Sequence, residues 1–416
     1  MKERALRVIP SCTQTFSKGP TQFVQGAAPV FIAEGAGSHV LDVDGNSYID
    51  YSMGLGAVIL GHGYPGVVDR VTAQLSRGIA HSLPHPLEVE LAETIVDIVP
   101  CAEMVRFAKN GSDATAGAIR AARAFTMRDL IACCGYHGWQ DWFIGTTTRA
   151  AGVPEAVRSL TIPFRFNDLP SLDAIVQAHG QELAAVILEP VGVEKPEEGF
   201  LQDVADLSSS CGSLLIFDEI VSGFRLSLEG AQGVYGVVPD MACYGKAVAN
   251  GFPLSFVAGR QEVMEVFDEI FFSFTFGGDA ASLAAALAVV ETMRDGVVLE
   301  KIRQQGQSLM DGYNEISSRL GISNITTASG YPARHVLTFA GEDALVLKSY
   351  VQQEALKRGV LFVGFHNLCY QHDSADIQFT LSVYDEVLRL LKDAIEEGSP
   401  IDRLDGPPVE PVFRQP

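Results

Sequence analysis

The chain of 416 residues has few charges, few lysines and no long apolar run. Charged residues make up 19%, so neither a disordered chain nor a coiled coil is expected. Acidic residues outnumber basic ones, 51 to 30, and the net charge is −21. That argues against a phosphate-backbone binder, which needs clustered lysine and arginine, so no nucleic acid is expected as partner. The seven cysteines are odd in number, scattered and without a CxxC pair. They predict free thiols in a reducing compartment rather than a disulfide framework. The opening MKERALRVIPSC lacks a signal-type apolar region, and the alanine-rich run near 280–290 is too short to cross a bilayer. The expectation is a soluble cytoplasmic protein with no membrane partner. There is no GxGxxG and no Walker lysine, so dinucleotide or nucleoside-triphosphate binding is not indicated.

What is present is a large apolar fraction, 47%, enough for an extensive core. Short apolar runs at 104–108, 130–134, 184–190, 213–219 and 255–259 read as buried strands. Between and around them, 66–77, 88–98, 113–126, 171–179, 203–211 and 280–294 carry apolar residues at helical spacing. Such alternation predicts an α/β fold with a mostly parallel sheet sandwiched by helices. Residues 30–51 read as a β meander, 333–341 and 360–380 as further strands, and 343–358 and 383–396 as helices. The chain ends are therefore expected to form a smaller α+β lobe. The predicted parts are an N-terminal segment 1–60, a large domain 61–320 and a small domain 321–416 with an extended, proline-rich tail.

Four stretches carry chemistry, each at a strand end. AKNGSDATAG (108–117) turns into an alanine-rich helix, and its Gly111 and Ser112 offer amides and a hydroxyl to a phosphate. Ser and Asp are also ordinary helix caps. LLIFDEI (214–220) ends an apolar strand with Asp218 and Glu219, whose side chains alternate, so one can enter a site while the other points away. No neighbouring His or Cys supports a metal there. CGYHGWQDW (134–142) holds both tryptophans and Tyr136, a surface for a planar ligand or an ordinary aromatic cluster. MACYGKAVANG (241–251) sets one of only nine lysines, Lys246, among small apolar residues, where a depressed pKa would suit a Schiff-base amine. A phosphate cradle, an acid, a flat surface and a dry lysine together fit pyridoxal 5′-phosphate.

At these residues the chain resembles the class III aminotransferases of the type I pyridoxal-phosphate fold, in the branch of glutamate-1-semialdehyde aminomutase. VLDVDGNSYIDY, ILGHGYP, VRFAKNGSDATAGAIRAAR, YHGW, IFDEIVSGFR, GKAVANGFP and FTFGGDAAS follow in the family's order. The resemblance implies that Lys246 binds the cofactor covalently and shuttles a proton, and that Asp218 pairs with the ring nitrogen. It implies Tyr136 and Ile220 on the two ring faces, and Gly111 and Ser112 on the phosphate. Thr275 would come from the partner subunit of a homodimer, and Glu189 and His137 would stand at the ring edge or behind it. Small-molecule donor and acceptor are the implied substrates.

Two departures bear on the acceptor. Leu55 stands where the aminomutase pattern has tryptophan, and VGFHNLCYQHD (363–373) lacks its gating glutamate, with His366-Asn367 in that neighbourhood. TQTFSK (13–18), YHGW and FHN are more similar to relatives that aminate sugars, including the 6′-position of aminoglycosides, with glutamate as donor. An aminotransferase acting on a sugar aldehyde or ketone is the expectation; an aminomutase or epimerase on the same fold is the alternative. A non-catalytic, ligand-sensing module would call for a basic helix-turn-helix segment, which this sequence does not contain.

Overall fold

Seven strands of the central sheet explain where the chemistry sits. In a computed structural model that describes residues 1–398 and 400–411, the chain divides into two units. One comprises residues 65–295; the other combines residues 1–64 with the described residues from 296 onward.

In the 65–295 unit the strands are β1 (Met104–Ala108), β2 (Leu130–Cys134), β3 (Thr161–Pro163), β4 (Leu183–Leu188), β5 (Leu214–Asp218), β6 (Met241–Tyr244) and β7 (Ser255–Gly259). They lie in the order β1-β7-β6-β5-β4-β2-β3. All pairings from β6 to β3 are parallel, while β7 runs antiparallel to both β6 and β1. Six strands therefore point one way and β7 alone is reversed. Strands buried on both faces read as unbroken apolar runs, and β4, β5, β6 and β7 are buried along their whole length. The runs expected at 104–108, 130–134 and 255–259 coincide with β1, β2 and β7; β3 and β6 had not been anticipated as strands. The helix Ala280–Met293 is buried almost all round, as its uniform alanine content requires.

In the other unit, strands Ile32–Ala36, His39–Asp42 and Ser47–Asp50 form the expected meander, and Val360–Leu361 joins Ser47–Asp50 in parallel. A second, antiparallel sheet holds Thr326–Tyr331, Arg334–Phe339 and Phe365–Asn367. The helix Val297–Leu320 packs on Thr326–Tyr331 and on the helix Ser374–Glu396 in this unit. Strand structure through 360–380 is overturned: after Asn367 the chain turns and Ser374–Glu396 is helical. The Asp373 carboxylate accepts from the amides of Ala375 at 2.8 Å and Asp376 at 2.9 Å, and that cap starts the helix earlier than expected. The proline-rich tail is anchored through residue 410: the amide of Val409 donates to Ser349 Oγ at 2.9 Å and that of Glu410 to the Thr21 carbonyl at 2.9 Å. Residues 412–416 of the expected extended tail lie outside the described residues.

Candidate active site

The carboxyl ends of β1, β2, β4, β5 and β6 lie along one edge of the sheet, and the candidate residues follow those ends directly. In open α/β sheets this edge is where ligands bind. Asp218 ends β5, and its neighbour in register on β6 is Cys243, three residues before Lys246. Cys134 on β2 pairs with Leu188 on β4, which sets Gly135-Tyr136-His137 beside Glu189.

Asp218 is buried and bonded on both oxygens. Its Oδ2 accepts from His137 Nδ1 at 2.7 Å and its Oδ1 from the Ile220 amide at 3.1 Å. A carboxylate only accepts, so Nδ1 carries the hydrogen. The imidazole is buried, stacks on Trp142 with centroids 5.8 Å apart and an interplanar angle of 17°, and has no partner at Nε2 among the described residues. Thr115 fixes the same segment from behind, donating to the His137 carbonyl at 2.7 Å. Glu219 faces away, as strand alternation requires. It is fully buried and accepts from the amides of Ala231 at 2.8 Å and Gln232 at 3.1 Å and from the Ser222 hydroxyl. Burial still pushes its carboxyl up to about 7.

Glu189 accepts from the Tyr136 amide at 2.9 Å. Burial first, and then the Asp218 charge, raises its proton affinity; His137, the Tyr136 amide and Lys246 act in the opposite sense. Lys246 thus lies close enough for its charge to act on Glu189. Its backbone is left-handed, with φ 45°, and opens the short turn Lys246–Ala249, whose other residues are buried. A non-glycine residue held there costs about 1–2 kcal/mol, and such strain gathers at functional sites.

Glycines bring the loops together. A methyl group placed on Gly111 would lie 3.0 Å from Ile220 Cδ1, and one on Gly245 would lie 3.1 Å from the same atom. The phosphate turn and the residue before Lys246 therefore meet at the side chain of Ile220, two residues after Asp218. A methyl on Gly138 would stand 2.5 Å from Ser112 Cβ, so the YHG turn lies directly against the phosphate turn. The amides of Gly111 and Ser112, at the start of the helix Gly111–Thr126, donate to no group among the described residues, while that of Asp113 is taken by the Asn110 carbonyl at 3.0 Å.

The structure thus gathers Gly111, Ser112, Tyr136, His137, Glu189, Asp218, Ile220 and Lys246. Thr275 is elsewhere, on the exposed stretch 273–276, with no hydrogen bond to them among the described residues. The two tryptophans part company: Trp142 is buried and Trp139 is exposed. Arg225 is buried inside the unit. Cys133 and Cys134 are strand residues whose burial pushes both thiols up to about 12, which leaves them inert. His85 caps the helix Pro86–Ile98 through its Nδ1, 3.2 Å from the Leu87 amide. His366, in the neighbourhood of the aminomutase pattern's gating glutamate, is wholly buried in the other unit. Sequence reasoning missed Gly138 and Thr115; of these only Gly138 had a local signal, the glycine next to the aromatic pair.

Residues 23–396 match the family model for class III aminotransferases. This chain belongs to the class III aminotransferases. It is 33% identical over 403 residues to 3-aminobutyryl-CoA aminotransferase of Cloacimonas acidaminovorans, covering 94% of this chain and 96% of that protein. It is 36% identical over 399 residues to glutamate-1-semialdehyde 2,1-aminomutase of Methanothermobacter thermautotrophicus, covering 88% and 93%. Among solved structures, the PLP internal aldimine form of the FumI protein of Sphingopyxis sp. MTA144 superposes with TM-score 0.90 at 29% identity, covering 97% of this chain and 98% of that one. The aminotransferase is a pyridoxal-phosphate enzyme, and the site fits the cofactor. Two undonated amides at a helix start suit a phosphate. A buried carboxylate oriented by an imidazole suits a ring nitrogen, and a strained lysine near Glu189 suits a reactive amine.

Proposed function

We propose that this aminotransferase moves an amino group from an amino acid, glutamate, to the aldehyde or ketone carbon of a sugar, the 6′-position of an aminoglycoside intermediate being one such carbon. Bound pyridoxal phosphate supplies an aldehyde that accepts and returns the amino group, and a ring that draws electrons from the reacting carbon. Lys246 holds the cofactor and carries the proton to and from the substrate carbon, as acid and as base. Asp218 holds a proton on the ring nitrogen; buried, it requires that cation, and His137 aims it. Gly111 and Ser112 bind the phosphate, Tyr136 and Ile220 cover the ring faces, and Glu189 stands at the ring edge. Thr275 is the contribution of one subunit to the other's site in a homodimer, which accords with its exposed position.

The convergence of Gly111, Ile220 and Gly245 carries the transferase reading. Support for the sugar acceptor comes from the TQTFSK, YHGW and FHN segments and from the lack of a glutamate in 363–373. In the neighbourhood where the aminomutase pattern has its gating glutamate, His366 is wholly buried and bonded to the Tyr384 hydroxyl. The aminomutase reading draws on the 36% identity to an enzyme of that name. Visible absorbance of the purified protein separates them. Glutamate should bleach the cofactor band and a keto- or aldehydo-sugar should restore it. Restoration by glutamate semialdehyde alone would establish the aminomutase, and a band untouched by amino acids would end the transferase reading.

A further inference from the structure

Lys109 follows β1 directly and precedes the phosphate turn, where a cation invites assignment to the phosphate itself. Its bonds argue otherwise. The ammonium donates to the Pro253 carbonyl at 3.0 Å and to the Asp279 carboxylate, and lies 3.4 Å from Ser282 Oγ. An ammonium has three hydrogens, and three acceptors already surround it. Both members of the ion pair are largely buried, with side-chain exposures of 15% and 13%. The carboxylate is used twice, because Oδ1 of Asp279 also accepts the Ser282 amide at 3.1 Å and so caps the helix Ala280–Met293. One ammonium therefore joins three stretches: the phosphate turn, the segment leaving the Lys246 turn at Pro253, and the end of the 273–279 stretch that carries Thr275.

We infer that Lys109 is a positioning residue of the cofactor site, and that its ion pair with Asp279 holds the 273–279 stretch and the Pro253 segment in register with the phosphate turn. The inference rests on the cofactor reading above. Loss of the lysine charge leaves Asp279 largely buried and unpaired, and the stretch must move outward to hydrate it. Loss of both charges removes that drive, so the two residues act as one unit.

The test uses the full chain with pyridoxal phosphate as probe, in K109M, D279N, K109M/D279N and K109R. The pyridoxal-phosphate dissociation constant is read by absorbance titration, and amide exchange is followed in the cofactor-free protein. K109M and D279N should each raise the dissociation constant at least tenfold and speed exchange at 250–253 and 273–279, with 135–138 unchanged. The double variant should be no worse than either single one, and K109R should stay within threefold of the parent. Asparagine remains a good helix cap, so D279N decides the matter if K109M does not fold. Binding by K109M within twofold of the parent, additive losses in the double variant, or exchange that quickens evenly across 65–295 would overturn the inference. A parent that takes up no pyridoxal phosphate would overturn the functional reading instead, and the exchange pattern would then decide the clamp alone.

Discussion

Acidification should loosen the unit built from the chain ends, because three imidazoles are sealed inside it. His335 stacks on His366 with centroids 4.9 Å apart and planes 7° apart, and His372 stacks on Tyr51 at 4.6 Å and 4°. All three are buried, and Nε2 of His335 and Nδ1 of His366 have no hydrogen-bond partner among the described residues. Burial pushes His335 down to about 4, the Pro332 carbonyl opposing. Burial also pushes His372 down to about 4 against the pull of Asp376 and Asp50. His366 is held well below the ordinary value by burial and by the other two rings. A base whose folded pKa is depressed is protonated first in the unfolded chain, so stability is complete above about 6.5 and falls as pH drops toward 4. At pH 5.5 each ring costs about 1.4 kcal/mol relative to pH 7.5, so His335 and His372 together cost about 3 kcal/mol, with His366 adding to that. Glu219, in the other unit, works in the opposite sense because its carboxyl is raised to about 7, so a whole-chain melt would mix the two effects. Residue-resolved amide exchange in strands Arg334–Phe339 and Phe365–Asn367, corrected for intrinsic rates, isolates the histidines. His335→Phe keeps the flat ring and should remove about 1.4 kcal/mol of the acid loss. A parent whose protection falls by less than about 1 kcal/mol over that interval, or an unchanged loss in H335F, would refute the reasoning.

Three further outcomes concern the sheet edge. Gly138→Ala combines a φ of 109° with a methyl 2.5 Å from Ser112 Cβ, and left-handed strain plus overpacking should cost about 2–5 kcal/mol; a melting temperature and cofactor affinity equal to the parent's would contradict the packing described. Asp218→Asn removes a buried charged partner worth about 3–5 kcal/mol, so turnover should fall at least about a hundredfold, while circular dichroism stays unchanged; turnover within threefold of the parent would remove Asp218 from the chemistry. Thr115→Val deletes the 2.7 Å bond to the His137 carbonyl and should cost about 1 kcal/mol in chemical denaturation, with stability equal to the parent's as the contrary result.

Legibility followed distance along the chain. β1, β2 and β7 were readable because each is a short apolar run bounded by turn residues, and both neighbours of that pattern are local. The reversal of β7 was not, since composition carries no direction. The helix Ser374–Glu396 was misread because IQFTLSVY alternates like a strand; Ile377, Thr380, Tyr384, Val387, Leu388 and Leu391 are in fact its buried side at helical spacing. In the site, Lys246, Asp218 and the Gly111-Ser112 turn each sit in a motif a few residues long. The partner of Lys109 lies 170 residues away, and the stacking of His335 on His366 needs the pairing of two strands 31 positions apart in register. Nothing local marks either contact.

The glycines explain why so weak a set of local signals specifies one site. Ile220 packs closely on both the phosphate turn and the Lys246 turn where residues 111 and 245 have no Cβ, and Ser112 can meet the YHG turn only because residue 138 has none. The loops are thus fixed by backbone approach, and a handful of polar atoms is then enough to aim them: Asp218 through His137, Glu189 through the Tyr136 amide, Asp279 through Lys109. On the function proposed above, such an edge binds the cofactor and is indifferent to what the amino group is moved onto. That is consistent with relatives named for a coenzyme A derivative and for glutamate semialdehyde sharing a third of their residues with this chain. Choice of acceptor must then rest on side chains outside the edge, so substitutions along it should change cofactor affinity and turnover for every acceptor in the same proportion.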